Sequence, residues 1–80
     1  MKLKIIGFGI AKDILGASTI TVDVPENTTV AELKTILEQQ YSRLKVLHSY
    51  MVAIDHRYAI DNEILNTNNE IALIPPVSGG

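Results

Sequence analysis

One segment of the chain carries a sustained helical period, and this limits the fold more than any other feature. Its apolar residues recur at the spacing that forms a single stripe along a helix: Val30, Leu33, Ile36 and Leu37. The stripe begins within Thr29-Val30-Ala31-Glu32, whose Thr-x-x-Glu spacing is typical of a capping box at a helix start. The sequence therefore predicts one amphipathic helix from Thr29 to about Tyr41, with a single apolar face to bury.

Segments with strand character lie on both sides of this helix. Residues 1–10 and 18–24 precede it, and a short helical turn at 11–15, ended by Gly16, lies between them. Three strand patterns follow the helix, at residues 50–54, 57–60 and 70–74.

The segments between these strands read as turns. Asp55 and His56 form a tight turn, and residues 67–69 are predicted to turn because asparagine tolerates positive φ. Residues 43–49 are ambiguous.

The order of these elements predicts an α+β fold. Strand, strand, helix, strand, short strand and strand match the β-grasp, or ubiquitin-like, fold, in which one helix packs on one face of a mixed sheet. A ferredoxin-like fold is the alternative, but it needs a second full helix, and residues 60–69 are too polar and too rich in asparagine to form one. We expect the β-grasp domain to span residues 1–74 and an extended tail to span residues 75–80.

Length and composition narrow the class of function. A chain of 80 residues buries a thin core with little room for a deep cavity, which favours a reactive end or a binding surface over a buried catalytic site. The net charge is −2 and the seven basic residues are scattered, so nucleic-acid binding is not favoured. No apolar stretch approaches the roughly 20 residues of a membrane helix, and we expect a soluble, cytoplasmic protein. The absence of cysteine excludes disulfides, thiolate metal sites and a cysteine nucleophile.

The residues that follow the last predicted strand have the composition of an extended arm. Pro75 and Pro76 stop strand pairing because they offer no backbone donor, and they hold the chain extended. Gly79 and Gly80 then reduce the chain to bare backbone, which can pass through a narrow channel. We interpret residues 75–80 as an arm that delivers the carboxylate of Gly80.

Alternation along the strands predicts a second apolar surface. If Leu3, Ile5 and Leu73 face the helix, a period of two sends another set of apolar side chains to the opposite, uncovered face. That set is Ile6, Phe8, Ala72 and Ile74. Because the first and last strands are neighbours in a β-grasp sheet, we expect one exposed patch beside the start of the tail. Contiguous apolar surface of this kind favours contact with a partner protein.

The remaining polar residues do not predict a catalytic or metal site. His48 and His56 lack a third ligand at metal spacing. Asp61 and Glu63 lack a pocket that would raise the pKa of one carboxyl group. The tyrosines are interpreted as packing residues with hydroxyl groups at the surface: Tyr41, Tyr50 and Tyr58.

With these motifs, the chain resembles the small subunits of molybdopterin synthase, the MoaD-type sulfur carriers. The resemblance covers nearly the full length. Residues 8–16 resemble that family's aromatic-to-glycine segment, residues 29–33 its helix start, and residues 52–55 its turn. The most specific match is at residues 70–80, where Pro-Pro-Val-Ser-Gly-Gly joins the last strand to a diglycine through a fixed spacer.

The resemblance implies a sulfur carrier that is not an enzyme on its own. An adenylyltransferase of the ubiquitin-activating type would use ATP to convert the Gly80 carboxylate to an acyl adenylate, and a sulfur donor would displace AMP to leave a thiocarboxylate. This sulfur would attack a pterin precursor of the molybdenum cofactor in a pocket of the large synthase subunit.

The resemblance also implies no bound cofactor or metal in this chain. It makes Gly80, with Gly79, the reactive end. It assigns a partner-binding surface to the residues beside and within the tail: Phe8, Ile74, Pro75, Pro76, Val77 and Ser78.

Three other functions stay open from the residues alone. A related carrier would serve another sulfur pathway, such as thiamin thiazole synthesis. A ubiquitin-like modifier would be attached to lysines through an isopeptide bond. An interaction module without chemistry would have an incidental tail.

Overall fold

The structure is a computed structural model that describes residues 1–47 and 49–76. Within these residues, five strands form one mixed sheet: β1 (Lys2–Gly7), β2 (Thr19–Asp23), β3 (Met51–Ile54), β4 (Arg57–Tyr58) and β5 (Ile71–Ile74). The helices are α1 (Gly9–Leu15), α2 (Val30–Gln40) and a 3-10 helix, Ser42–Leu47. The strands lie in the order β2-β1-β5-β3-β4, which confirms the predicted β-grasp fold.

The first and last strands are neighbours at the centre of the sheet, as predicted. β1 runs antiparallel to β2 and parallel to β5, and β3 runs antiparallel to both β4 and β5. Ile5 and Ile71 are register partners in the central parallel pair, and both are fully buried. The pairing therefore fixes the end of β5, and with it the start of the tail, against the middle of the domain.

Helix α2 begins at the predicted capping box. The Thr29 hydroxyl accepts a hydrogen bond from the Glu32 backbone N–H at 3.2 Å, and Glu32 Oε1 accepts one from the Thr29 N–H at 2.9 Å. Each side chain thus satisfies a backbone donor that the helix start leaves free. Along the helix, Val30, Leu33 and Leu37 are fully buried in the core that α2 shares with the sheet.

The prediction of a strand over residues 1–10 is too long, because the chain leaves the sheet after Gly7 and enters α1 at Gly9. A Cβ atom at Gly7 would lie 3.0 Å from both Lys12 Cα and Leu15 Cδ1, so bare backbone is what allows α1 to lie on the end of β1. Gly16 ends α1 in the left-handed conformation, with φ of 81°, as predicted.

The hairpin turn is confirmed and the basis of the asparagine turn is corrected. Asp55 and His56 have φ of 51° and 71°, the pair of positive values that a two-residue hairpin turn requires. Residues 67 and 68 do turn, but neither Asn68 nor Asn69 has positive φ. Side chains hold this turn instead: Asn69 Oδ1 accepts from the Asn66 N–H at 2.8 Å, and Asn66 Oδ1 accepts from the Asn68 N–H at 2.9 Å.

The segment left ambiguous by the sequence contains the 3-10 helix, which buries Leu44. His48 lies outside the described residues. The fourth strand ends at Tyr58 rather than at residue 60.

Across residues 1–47 and 49–76, no helix has the length and apolar character needed to cross a bilayer.

Candidate functional site

The face of the sheet opposite α2 is apolar where β5 ends. Ile71 and Leu73 are fully buried in the core shared with α2, so alternation directs Ala72 and Ile74 to the other face. We call this the open face. The apolar residues on it form the open-face patch: Ile6, Phe8, Met51, Ala53, Tyr58, Ala72 and Ile74.

The patch has exposed and sheltered members. Phe8 is 51% exposed, Met51 45% and Tyr58 61%, whereas Ala53 and Ala72 are buried beneath them. The predicted residues Phe8 and Ile74 line one shallow cleft of about 360 Å³ together with Tyr58 and the two alanines. Large exposed side chains around a small-residue floor form a surface into which an apolar partner side chain can pack.

Ionisable residues at the rim of this cleft, His56, Arg57 and Glu70, contact other ionisable side chains. His56 Nε2 lies 3.2 Å from Glu70 Oε2, and Arg57 Nη2 lies 2.7 Å from Glu63 Oε1. The hydrogen bond from Arg57 lowers the pKa of the Glu63 carboxyl, and the Ile60 backbone N–H adds to this effect. The Glu63 carboxylate raises the pKa of Arg57 in return. The carboxylates of Glu70 and Glu63 are therefore each in contact with a neighbouring side chain, which suits a binding surface.

The start of the tail is attached to the turn between β1 and α1. The Phe8 backbone N–H donates to the Leu73 carbonyl at 3.3 Å. At the next residue, Gly9 has φ of 54°, and a Cβ atom there would lie 3.2 Å from Pro75 Cγ. Phe8 thus bonds to the last core residue and Gly9 lies beside the first tail residue, so the tail begins beside the open-face patch.

The structure describes four of the eight predicted site residues. Phe8 and Ile74 share the cleft, Pro75 lies against Gly9, and Pro76 is exposed. The other four predicted site residues lie outside the described residues: Val77, Ser78, Gly79 and Gly80.

Sequence reasoning missed the part of the patch that β3 and β4 supply. Met51 and Ala53 alternate with the core residues Val52 and Ile54, and this period of two was a usable signal. Tyr58 is opposite Ala53 in the β3–β4 pair, so the predicted hairpin turn would have located it.

The polar residues for which the sequence predicted no catalytic or metal-binding role form other interactions. Asp61 Oδ1 lies 3.2 Å from Lys34 Nζ. Tyr50 is a packing residue, but its hydroxyl donates to Glu38 Oε2 at 2.6 Å rather than lying free at the surface. Burial, reinforced by the Glu38 carboxylate, raises the pKa of the Tyr50 phenol. Tyr58 is mostly exposed, so its interpretation as a packing residue is wrong.

Over the part of the chain that the structure describes, no three His, Asp or Glu residues are grouped to hold a metal ion.

Known proteins share this architecture along the whole chain. The sequence profile described as the ThiS family matches residues 5–80. The molybdopterin synthase sulfur carrier subunit of Caenorhabditis elegans is 39% identical over 83 residues, an alignment that covers 100% of this chain and 99% of the relative.

Solved structures agree with the fold. SAMP1 from Haloferax volcanii superposes with a TM-score of 0.82 at 26% identity, over 100% of both chains. Subunits 1 and 2 of molybdopterin-converting factor from Helicobacter pylori have been solved as a protein–protein complex, and a chain of that complex superposes with a TM-score of 0.70 at 23% identity, again over 100% of both chains. These matches confirm the resemblance found in the sequence. The chain therefore belongs to the ThiS family, as a full-length relative of molybdopterin synthase sulfur carrier subunits.

Proposed function

We propose that this chain is a sulfur carrier in molybdenum cofactor biosynthesis and that the carboxyl group of Gly80 carries the sulfur. The observation that carries the proposal is full-length identity of 39% to a molybdopterin synthase sulfur carrier subunit. The chain has no cysteine, so a sulfur that it carries must be attached to a group other than a thiol side chain. The diglycine at residues 79–80 offers a carboxylate on unbranched backbone.

Three steps attach the sulfur to Gly80 and transfer it: adenylation of the carboxylate, replacement of AMP by sulfur, and delivery of the sulfur to the pterin. The carboxylate oxygen attacks the α-phosphorus of ATP on an adenylyltransferase, which forms the acyl adenylate and releases pyrophosphate. A sulfide equivalent attacks the acyl carbon and expels AMP, which leaves the thiocarboxylate. Its sulfur then adds to an electrophilic, unsaturated carbon of the pterin precursor, whose π electrons move to the neighbouring atom and take up a proton, and water cleaves the acyl–sulfur bond, which restores the carboxylate and leaves the sulfur on the pterin.

The large subunit of molybdopterin synthase is the proposed partner of the open-face patch. The patch is exposed at Phe8, Met51 and Tyr58, and the tail starts beside it. A partner that covers the patch would therefore lie where the tail can enter it. The Helicobacter pylori complex of two molybdopterin-converting factor subunits supports this partner class. We assign the catalytic pocket to the large subunit, because the charged groups around the cleft of this chain are paired with one another.

The proposed partner surface comprises the patch together with residues 75–78, and residues 79–80 form the reactive end. The division into a domain of residues 1–74 and a tail of residues 75–80 is part of the same proposal. Since ATP is consumed on the adenylyltransferase, no cofactor is assigned to this chain. The proposed location is the cytoplasm, where ATP is available.

Intact-mass spectrometry tests the proposal. The full chain is incubated with the adenylyltransferase, ATP and sulfide, and the mass should rise by the difference between one sulfur and one oxygen. Tandem fragmentation should assign the change to Gly80, and the mass of a variant lacking Gly80 should stay constant. The proposal fails if the wild-type mass stays constant while a known carrier is converted in the same mixture.

A modifier function predicts a different product. Superposition on SAMP1, a small archaeal modifier protein, makes isopeptide conjugates the outcome to look for. Incubation with cell extract would then give a ladder of conjugates on a denaturing gel that is lost on deleting Gly80. A carrier instead transfers sulfur to the pterin and stays unconjugated.

A further inference from the structure

Gly9, the first residue of α1, lies beside the first residue of the tail and has no side chain. Gly9 has φ of 54° and faces Pro75, whose Cγ would be 3.2 Å from a Cβ atom on residue 9. Carbon atoms at optimal separation lie about 3.5–4.0 Å apart, so a Cβ atom at residue 9 would push against Pro75 Cγ and require a shift of a few tenths of an ångström. The present contact is possible because Gly9 has no side chain.

Pro75 cannot yield to such a contact as a flexible side chain would. Its Cγ belongs to a ring that closes on the backbone nitrogen, which fixes φ and leaves only the ring pucker to change. A displacement of Cγ that a change of pucker does not absorb is therefore passed to the backbone at the first residue of the tail. The preceding residues cannot share it freely, since Ile74 pairs with Met51 and the Leu73 carbonyl accepts from the Phe8 N–H.

We propose that Gly9 is a positioning residue that sets the direction in which the tail leaves the sheet. The Phe8–Leu73 hydrogen bond holds the end of β5, and the missing side chain of Gly9 leaves the space that Pro75 Cγ borders one residue later. The direction of Pro75 and Pro76, where the tail begins, then depends on the space that Gly9 leaves beside Pro75. This inference rests on the proposed function, because direction matters to a carrier only if the end of the tail must reach a partner's pocket.

Gly16 provides a matched control. It also has positive φ, 81°, but nothing lies within 4 Å of the Cβ position there. Gly9→Ala and Gly16→Ala therefore share the conformational strain of a left-handed alanine, and only Gly9→Ala adds a contact with Pro75. The melting temperature should fall by a similar amount in both variants, relative to the wild type.

The functional experiment uses full-length carriers loaded as thiocarboxylates and mixed with the large subunit and the pterin precursor. At saturating large subunit, Gly9→Ala should lower the single-turnover rate of sulfur transfer by roughly tenfold or more, because small misplacements of a reacting group reduce rates strongly. Gly16→Ala should transfer sulfur at the wild-type rate. A merely structural role for Gly9 predicts equal rates for the two variants, and that result would overturn the proposal.

The Pro75→Ala background tests the contact itself. Alanine lacks the Cγ atom. Gly9→Ala should therefore reduce the transfer rate by a larger factor when residue 75 is proline than when residue 75 is alanine. An undiminished effect in that background would show that Gly9 acts through another residue. If Gly9→Ala fails to fold, Gly9→Asn takes its place, since asparagine tolerates positive φ and still adds a Cβ atom.

A measurement on the isolated carrier separates this inference from the proposed function. Residual dipolar couplings of the backbone amides after Pro76 report the orientation of the tail relative to the domain. Gly9→Ala should change them, and Gly16→Ala should leave them as in the wild type. If no variant transfers sulfur, the proposed function fails, and the couplings still decide the role of Gly9. Equal couplings in the two variants would refute it.

Discussion

Met51 and Ile74 are register partners in the β3–β5 pair, and their side chains lie on the same open face. Met51 is 45% exposed, and Ile74 is half-buried at the last residue before the tail. The apolar surface therefore continues across β5 from Phe8 to β3. A partner that receives the tail can contact apolar side chains on both sides of its origin.

Aspartate substitutions on this surface should weaken binding of the large subunit without unfolding the carrier. Phe8→Asp or Ile74→Asp would bury an unpaired charge in the interface, and truncation of a central apolar contact typically costs about 2 kcal/mol or more, roughly thirtyfold in Kd. Calorimetric titration gives the affinity, and the melting temperature reports the fold. Met51→Asp should behave in the same way.

Val46→Asp is the control for these substitutions. Val46 is 74% exposed on the 3-10 helix, outside the open-face patch, so its substitution should leave the affinity unchanged. If Phe8→Asp instead unfolds the domain, or if Val46→Asp weakens binding equally, the assignment of the open face as the interface is wrong.

Deletion of Gly80 should abolish sulfur transfer and leave stability unchanged. The buried core of the described residues draws on side chains from Leu3 to Leu73, so removal of residue 80 takes no group from it. Transfer is measured as pterin product formed by the complete synthase, and stability as the melting temperature. Product formation by the shortened chain would contradict a reactive Gly80.

Thr29→Ala should destabilise the domain by about 1 kcal/mol, because it removes the acceptor for the Glu32 N–H at the start of α2. For a domain of this size that corresponds to a melting temperature lower by about 4–8 °C. Thr35→Ala, at an exposed position of the same helix, should stay within about 0.5 kcal/mol of the wild type. Equal losses in the two variants would show that the cap does not stabilise α2.

Asp55 should make stability depend on pH in the acidic range. Its carboxylate accepts from the Glu70 N–H at 2.8 Å and from Asn69 Nδ2 at 3.0 Å, and these bonds lower the pKa of Asp55. A lowered pKa in the folded state means that the contribution is complete above the unfolded value of about 3.9 and is lost as pH falls through the folded value. The melting temperatures of wild type and Asp55→Asn should therefore converge below about pH 4. A constant difference from acidic to neutral pH would contradict this role.

Local signals predicted most of the fold. The Thr29–Glu32 spacing specified a helix start, and the Asp55-His56 pair specified a two-residue turn, because in both cases neighbouring residues complete the interaction themselves. The strand assigned to residues 1–10 was wrong at its end for a tertiary reason. Phe8 and Ile10 continue the alternation of β1, but Gly7 allows α1 to lie on the strand end, and the packing of Leu15 decides the outcome.

The candidate site was predicted in part. Alternation located Ile6, Phe8, Ala72 and Ile74, because strand period alone determines the face. Alternation in β3 also indicated the face of Met51, but that Met51 adjoins Ile74 depends on which strands are neighbours and emerged only with the sheet order. The contact between Gly9 and Pro75 joins residues far apart in sequence and carries no periodic signal at all.

The parallel pairing of β1 with β5 has a consequence for synthesis on the ribosome. β1 occupies the middle of the sheet, yet one of its two neighbours is formed by residues 71–74. A nascent chain therefore lacks the centre of its sheet until those residues have emerged, and a chain terminated before Ile71 leaves Ile5 without its partner. Residues 71–74 thus complete the sheet, because β5 is the strand that pairs with both β1 and β3, and a chain that stops before them leaves the two parts of the sheet unjoined.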